Sequence, residues 1–322
     1  MNLVKIVALI FLSSGILNTG LADESTAKLY GKLKESCVEI ILDRHTDGSG
    51  CFVSKAGHVL TAAHIFQREH KHLEVVSPKL GRFTAQLIAL DIGHDIAILK
   101  VKAPNQEFPF LTLAAKASLP GTDVYLYGTP IFRRNVMAKG MIASDQTNFE
   151  FLGKFYAEEI HISVVTTKGT SGGPWVNQNG EIIGVQSGIM ALDKSPQGVA
   201  FAGPLFAIKR LLSEKKNAQT LSLKMAIEEI GEQPLDYLKK LPAEVDGVVA
   251  KLVKKDGPAD KAGIKDGMVI TQINGKMVTR RNDFLKLLRQ TKSSNKVSLT
   301  VVDSNGKNQR TVGILPVILE SE

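Results

Sequence analysis

Cysteine and aromatic residues are scarce in this sequence, and long apolar runs are nearly absent. Cys37 and Cys51 are the two cysteines in 322 residues. The pair His70-x-His72 has neither cysteines nor carboxylates in a ligand pattern around it, so no metal site is expected. Aromatic residues make up 6%, and the basic residues fall in short groups: Lys215-Lys216, Lys239-Lys240, Lys254-Lys255 and Arg280-Arg281. Nucleic-acid binding would want a basic stripe interleaved with stacking rings, so that class is set aside. The net charge of +8 reads as solvated surface charge with a weak pull toward anionic surfaces. Nothing in the pattern implies a cofactor.

The one apolar run is Ile6 to Leu12, preceded by Lys5 and followed by small and polar residues ending Gly20-Leu21-Ala22. It is shorter than the ~20 residues that span a bilayer. Small residues at Gly20 and Ala22 fit cleavage after Ala22, so residues 1–22 read as a signal peptide and the mature chain as a soluble periplasmic or secreted protein. The alternative is an uncleaved anchor. No cysteine directly follows the run, which argues against a lipoprotein. In an oxidising compartment Cys37 and Cys51 can pair. They flank a hairpin centred near Arg44, and either a disulfide or two buried free thiols satisfies that placement.

The rest of the chain is long enough for two domains. A short helix over 25–36 leads in. Strands are then expected at 37–42, 50–54, 58–61, 72–76, 83–90, 95–101, 122–126, 136–143, 159–165, 174–177, 181–187 and 199–202, with Gly, Pro, Asn and Asp between them. Many short strands without alternating helices indicate a sandwich or barrel, and Asn179-Gly180 is a hairpin turn signal. Pro204 opens a helix with period-3.6 apolar residues from Leu205 to Leu212. This first domain runs over 23–215, and a polar linker follows over 216–222. Residues 223–318 then read as a small α+β domain: strands 223–230, 247–253, 268–273, 296–302 and 309–315, helices 233–241 and 280–290, and a turn from Gly257 to Gly263.

Three short stretches carry chemistry. Lys168 to Pro174 places Ser171 among glycines, where the backbone turns tightly and amide N–H groups can face outward. Thr61-Ala62-Ala63-His64 sets a histidine after an apolar strand, and Asp95 precedes the strand Ile96 to Lys100. Each residue alone is ordinary: a turn serine, a structural histidine, a capping aspartate. Together they supply nucleophile, base and orienting acid for acyl transfer. The segment Gly169, Thr170 and Ser171 forms the oxyanion hole, with the Gly169 and Ser171 N–H groups as donors. His94, next to Asp95, is expected to face away, since neighbours on a strand alternate.

With these residues in hand, the first domain resembles the chymotrypsin-like proteases of the HtrA/Deg family. The resemblance rests on Gly48-Ser49-Gly50, Val59 to His64, Asp95 to Lys100, Gly169 to Pro174 and Gly198 to Pro204. It implies a mainly β protein with a chymotrypsin-like double β-barrel of two six-stranded barrels and the catalytic residues His64, Asp95 and Ser171 between them. By the same resemblance Val165 lines the primary pocket, and Val185, Ser187 and Gly188 pair with substrate backbone. An acid is missing at Val165, so cleavage after Lys or Arg is disfavoured and a small or medium aliphatic residue preferred. Residues 223–318 resemble the PDZ module of that family through Gly257 to Gly263, Gly267 to Lys276 and Asp283 to Leu288. That implies peptide-strand addition, with the carboxylate loop at Leu223, Lys224 and Met225. Lys224 stands where the loop usually has glycine, Met268 where aspartate is common, Thr170 where asparagine is usual and Trp175 where an aliphatic residue is usual. The loop over 43–49 is short, so the long inter-subunit loop of some members is absent. The implied function is an endopeptidase for unfolded or damaged proteins, assembled as a homotrimer. A second class stays open, a peptide-binding chaperone or sensor.

Overall fold

The computed structural model describes residues 21–319. Most of the expected signal peptide therefore lies outside the described residues. Helix α1, Leu21–Ser36, buries Leu29 and Leu33. It leads into six strands: β1 Cys37–Leu42, β2 His45–Phe52, β3 His58–Thr61, β4 Leu73–Ser77, β5 Gly81–Asp91 and β6 Ile96–Val101. They close into an antiparallel barrel in the order β1-β2-β3-β6-β5-β4. Every side chain of β1 is buried because α1 and the second sheet cover its outer face. Asp43 and Arg44 both take positive φ (49° and 75°), so the β1–β2 turn is two residues rather than the longer polar loop expected. A bulge at Ile40/Ile41 restores the register that sets Cys37 opposite Cys51. Both thiols are buried and free, and burial pushes both well above the usual thiol range, with the Cys51 thiol adding to the rise at Cys37. Of the two alternatives, this structure holds the free thiols.

Seven strands make the second sheet: β7 Asp123–Gly128, β8 Val136–Ile142, β9 Asn148–Phe151, β10 Tyr156–Ser163, β11 Pro174–Val176, β12 Ile182–Leu192 and β13 Ser195–Pro204. Their order is β13-β12-β11-β7-β8-β10-β9, and pairing of β10 with β13 closes the barrel. The expected count was six. The extra strand is β9, which pairs only with β10. The β12–β13 hairpin also runs further than expected, to a tip at Asp193-Lys194 with both φ positive. At Asn179-Gly180 only Gly180 has positive φ, and the Asn177 carboxamide oxygen accepts from the N–H groups of Asn179 and Glu181. The turn is therefore longer than the two-residue form expected. Helix α2, Leu205–Glu214, starts after Pro204 and packs Ala207, Ile208 and Leu211 on the first barrel.

The polar segment expected as a free linker is docked. Asn217 Oδ1 accepts from Leu90 N–H, Ala218 N–H donates to Leu90 O, and Leu319 N–H donates to Thr220 O. Beyond it come β14 Leu221–Ser222, β15 Ala226–Glu229, α3 Leu235–Leu238, β16 Val248–Lys251, α4 Pro258–Lys261, β17 Val269–Ile273 and β18 Lys276–Met277. Helix α5 Arg281–Gln290 and strands β19 Val297–Val302, β20 Arg310–Ile314 and β21 Val317–Ile318 complete the domain. The sheet runs β15-β16-β17-β19-β20, with α5 burying Phe284, Leu285 and Leu288 on it. The helix expected over 233–241 shrinks to α3, because Pro234 and Pro242 bracket it. Phe149 and Tyr156 of the second barrel join this domain's core, so one apolar cluster spans both domains.

Candidate active site

His64 is carried by a short turn, Ala63–Phe66, in which Ala63, Ile65 and Phe66 are buried. Those three anchors leave the imidazole turned toward the other barrel, about a third exposed (32%). Asp95 closes the turn Ile92–His94 in the left-handed region, φ 52° and ψ 47°, a conformation aspartate tolerates better than most residues. That geometry swings its carboxylate inward, fully buried. Oδ1 accepts from the His64 backbone N–H at 2.7 Å, and Oδ2 from His64 Nδ1–H at 2.6 Å. The Ser187 hydroxyl also donates to Oδ2, at 2.6 Å. With Nδ1 donating, Nε2 is left as the acceptor. Burial pushes the imidazole's pKa down, but the charge and hydrogen bond of Asp95 outweigh it and hold the net value above the ordinary histidine range.

The serine loop is pinned from both barrels. Ser49 N–H donates to Ser171 O at 2.7 Å, Ser49 Oγ–H donates to Gly169 O at 2.8 Å, and Thr129 N–H donates to Ser49 Oγ at 3.0 Å. Gly172 N–H donates to Gln186 O at 2.7 Å, and Gln186 N–H returns to Gly173 O at 2.9 Å. Two glycines are required here. Gly172 has φ 82°, and a Cβ on it would strike Thr61 Oγ1 and Ser49 O; Gly169 has φ 94°, and its Cβ would strike Thr129 O. Lys168 O accepts from Ile131 N–H at 2.9 Å, so the Gly169 N–H, trans on the same peptide, faces the opposite way. Among the described residues, neither Gly169 N–H nor Ser171 N–H donates to a protein acceptor. Thr170 does not share that role: its N–H and its hydroxyl both go to Thr167 O. Its replacement of asparagine is thus absorbed within the loop. Trp175 is fully buried and donates to Gln186 Oε1 at 2.8 Å.

Ser171, His64 and Gly169 open on one cavity of about 730 Å³, with Ile131, Phe132 and Ile189 on its walls. Two expected specificity residues lie elsewhere. Val165 is 60% exposed and does not line this cavity. Val185 is buried and already paired on both sides, with Pro174 and Gly203, so it has no edge to offer a substrate. Ser187 is near the site as expected, but it is its hydroxyl that acts, on Asp95. Gly188, between Ser187 and Ile189, accepts from the Gln186 side chain at 2.8 Å through its carbonyl. Ser49, Thr129 and Gln186 had no assigned role in the sequence; a serine between two glycines at 48–50 was the one available signal. His94 does face away from the triad, though through a turn rather than strand alternation. It lies between Asp91 (2.9 Å from Nδ1) and Glu158 (3.5 Å from Nε2).

Residues 48–185 match the trypsin-like peptidase domain, and residues 249–303 match the PDZ domain. The serine protease HTRA1 of Xenopus tropicalis is 30% identical over 292 residues, covering 85% of this chain and 60% of that protein. A DegP-like periplasmic serine endoprotease of Brucella suis is 29% identical over 275 residues, covering 83% and 52%. The chain therefore carries a trypsin-like peptidase domain followed by a PDZ domain, and it is similar to HtrA and DegP-like serine proteases. It spans roughly half to three-fifths of the length of these curated relatives. Among solved structures, the HtrA-type protease AlgW with a decapeptide superimposes with a TM-score of 0.65 at 20% identity, over 91% of this chain and 98% of that one. A serine endoprotease from Yersinia pestis gives 0.62 at 21% identity, over 91% and 98%. Both share the fold.

The groove of the PDZ domain is not open along its length. Strand β15 is the sheet edge, and Tyr156 OH donates to Ile227 O at 2.7 Å and accepts from Ile227 N–H at 2.8 Å. In the expected carboxylate loop, Lys224 has φ 56°, the conformation for which glycine is the usual choice. Its N–H donates to Ser222 Oγ at 3.0 Å, so one amide of the cradle is already satisfied. Leu223 is buried in the domain core, and Met225 packs against it.

Proposed function

We propose that the chain is a serine endopeptidase of the periplasmic or secreted space, acting on unfolded or damaged proteins. His64 Nε2 takes the proton of Ser171 Oγ as that oxygen attacks the scissile carbonyl carbon. Asp95 holds the imidazole in the Nδ1–H form and stabilises the imidazolium. The Gly169 and Ser171 N–H groups receive the carbonyl oxygen as it gains charge. His64 then gives the proton to the departing amine, and water repeats the sequence on the acyl-serine. The observation that carries this reading is the shared cavity: Ser171, an Asp95-bound His64 and Gly169 line the same space, and the Gly169 and Ser171 N–H groups have no protein acceptor among the described residues. The apolar walls Ile131, Phe132 and Ile189 suit an apolar side chain next to the cleaved bond. A homotrimer is the assembly proposed, to be read by light scattering.

The test uses the mature chain with a fluorophosphonate probe and casein. Labelling of Ser171 and casein cleavage are expected, with both lost in Ser171→Ala. An unlabelled Ser171 and intact casein in every oligomeric state would sink the reading. Full protection of cells by Ser171→Ala would instead favour the chaperone or sensor.

A further inference from the structure

Directly behind the triad lies a carboxyl group that the mechanism above does not use. Glu159, on β10, is fully buried, and both of its oxygens are without a hydrogen-bond partner among the described residues. Strand β10 pairs with β13 and packs on the turn that delivers Asp95. The groups acting on Glu159 are the Ser187 hydroxyl, the carboxylates of Asp95 and Glu150, and the Arg289 guanidinium. Glu150 is occupied by His161 at 2.8 Å. Arg289 donates to Tyr156 O at 2.8 Å through Nη2, while its Nη1, 3.6 Å from Glu158, makes no hydrogen bond among the described residues.

The Asp95 charge acts on the Glu159 carboxyl, both groups are fully buried, and two carboxylates coupled in so dry a place resist ionising together. Asp95 collects three donors at 2.6–2.7 Å, and Glu159 collects none, so the charge belongs to Asp95 and the proton to Glu159. A buried O–H needs an acceptor. The Ser187 oxygen has spare lone pairs, because its own proton is committed to Asp95. We propose that Glu159 is a positioning residue of the triad: as a neutral acid it turns its O–H onto Ser187 Oγ, completing a bond that the described arrangement leaves unmade, and so keeps the Ser187 proton on Asp95. The chain Glu159–Ser187–Asp95–His64 then has a single direction, each bond polarising the next. Burial first, and then the Asp95 charge, push the Glu159 carboxyl well above the usual glutamate range, which keeps it neutral at working pH. Once pH rises through that elevated value, Glu159 ionises and competes with Asp95 for the Ser187 proton, and turnover falls. The stability linkage has the same sign: the unfolded chain ionises first, so stability falls as pH rises from the ordinary glutamate value toward the folded one.

This inference rests on the triad reading, and the experiment separates the two. The pH profiles of kcat and KM are measured for the full chain, Glu159→Gln and Glu159→Leu, with Ser171→Ala alongside. Glu159→Leu is expected to lose about tenfold in kcat at little change in KM, the loss of one hydrogen bond specific to the transition state. The low-field His64 Nδ1–H resonance should shift with it. Glu159→Gln keeps a neutral donor in place. It should recover most of that turnover and lose the alkaline decline, and its melting temperature should rise more near pH 8 than near pH 5. Superimposable profiles for all three chains, or Glu159→Gln as impaired as Glu159→Leu, would overturn the proposal. Cleavage by Ser171→Ala would instead overturn the triad reading beneath it.

Discussion

Ser49 shows how much of this site depends on one small side chain. Its N–H holds the Ser171 carbonyl, while its hydroxyl joins Gly169 O to Thr129 N–H. It thereby ties the serine loop to both barrels. Ser49→Ala should leave the fold intact and slow acylation about fivefold, since a hydrogen bond to a positioned loop is worth roughly 1 kcal/mol. The rate of fluorophosphonate labelling at Ser171 reads this directly, and an unchanged rate would mean the loop holds itself. Val165 and Val185 make the opposite point. Both roles came from the family resemblance, yet one residue faces solvent and the other sits in the core. Counting along a loop does not say where its side chains turn.

Among the elements, the β9–β10 hairpin has the widest reach. Its Tyr156 hydroxyl caps both backbone groups of Ile227 on the exposed edge of β15. Its Phe149 sits beneath the Arg289 guanidinium, 4.6 Å from ring centroid to Cζ, and Asn148 and Phe149 N–H bond Asn282. The hairpin therefore occupies the place where an added peptide strand would pair. Tyr156→Phe removes both hydroxyl bonds and keeps the ring. A fluorescent peptide ending in a free carboxylate after an apolar residue should bind this variant about fivefold more tightly, a shift near 1 kcal/mol; equal anisotropy curves for variant and parent would show that Tyr156 does not compete.

At the level of the whole molecule, buried charges join the domains. Arg289 of α5 reaches Tyr156 O and Glu158, Glu158 faces His94, and His94 pairs with Asp91, which also takes a bond from Arg210 at 2.7 Å. Burial raises the Glu158 pKa, but its bonds to His94 and Thr147 and the charges of His94 and Arg289 outweigh that and bring it from 4.5 to about 2. Burial lowers Arg289 to about 10, so it stays charged at neutral pH. A depressed carboxylate contributes stability that is present above its unfolded value and is lost as pH falls through the folded one. The interface should therefore weaken between about pH 4.5 and about pH 2. Limited proteolysis across 213–220 would detect it, cleavage rising in that window in the parent and already raised above it, without the pH step, in Glu158→Gln. No increase across the window would remove these charges as the clamp.

The parts legible in the sequence share one property, that they follow from neighbours along the chain. Alternating apolar residues over β5 and β6, the hairpin centre near Arg44, the Pro204 helix start and the glycines around Ser171 are local matters of backbone sterics and side-chain period. They located the strands and the three triad candidates. What the chain order could not convey is what meets across space. Glu159 sits on a strand whose neighbours suggest nothing unusual, and only closure of the second barrel brings it against Ser187 and Asp95. Strand β9 is only four residues long and exists because β10 offers it an edge. The segment 216–220 looks like a solvated linker because its residues are polar, but its backbone is held by Leu90 and Leu319. Hydrogen bonds and desolvation depend on distance and exclusion of water, and those are set by the folded chain as a whole.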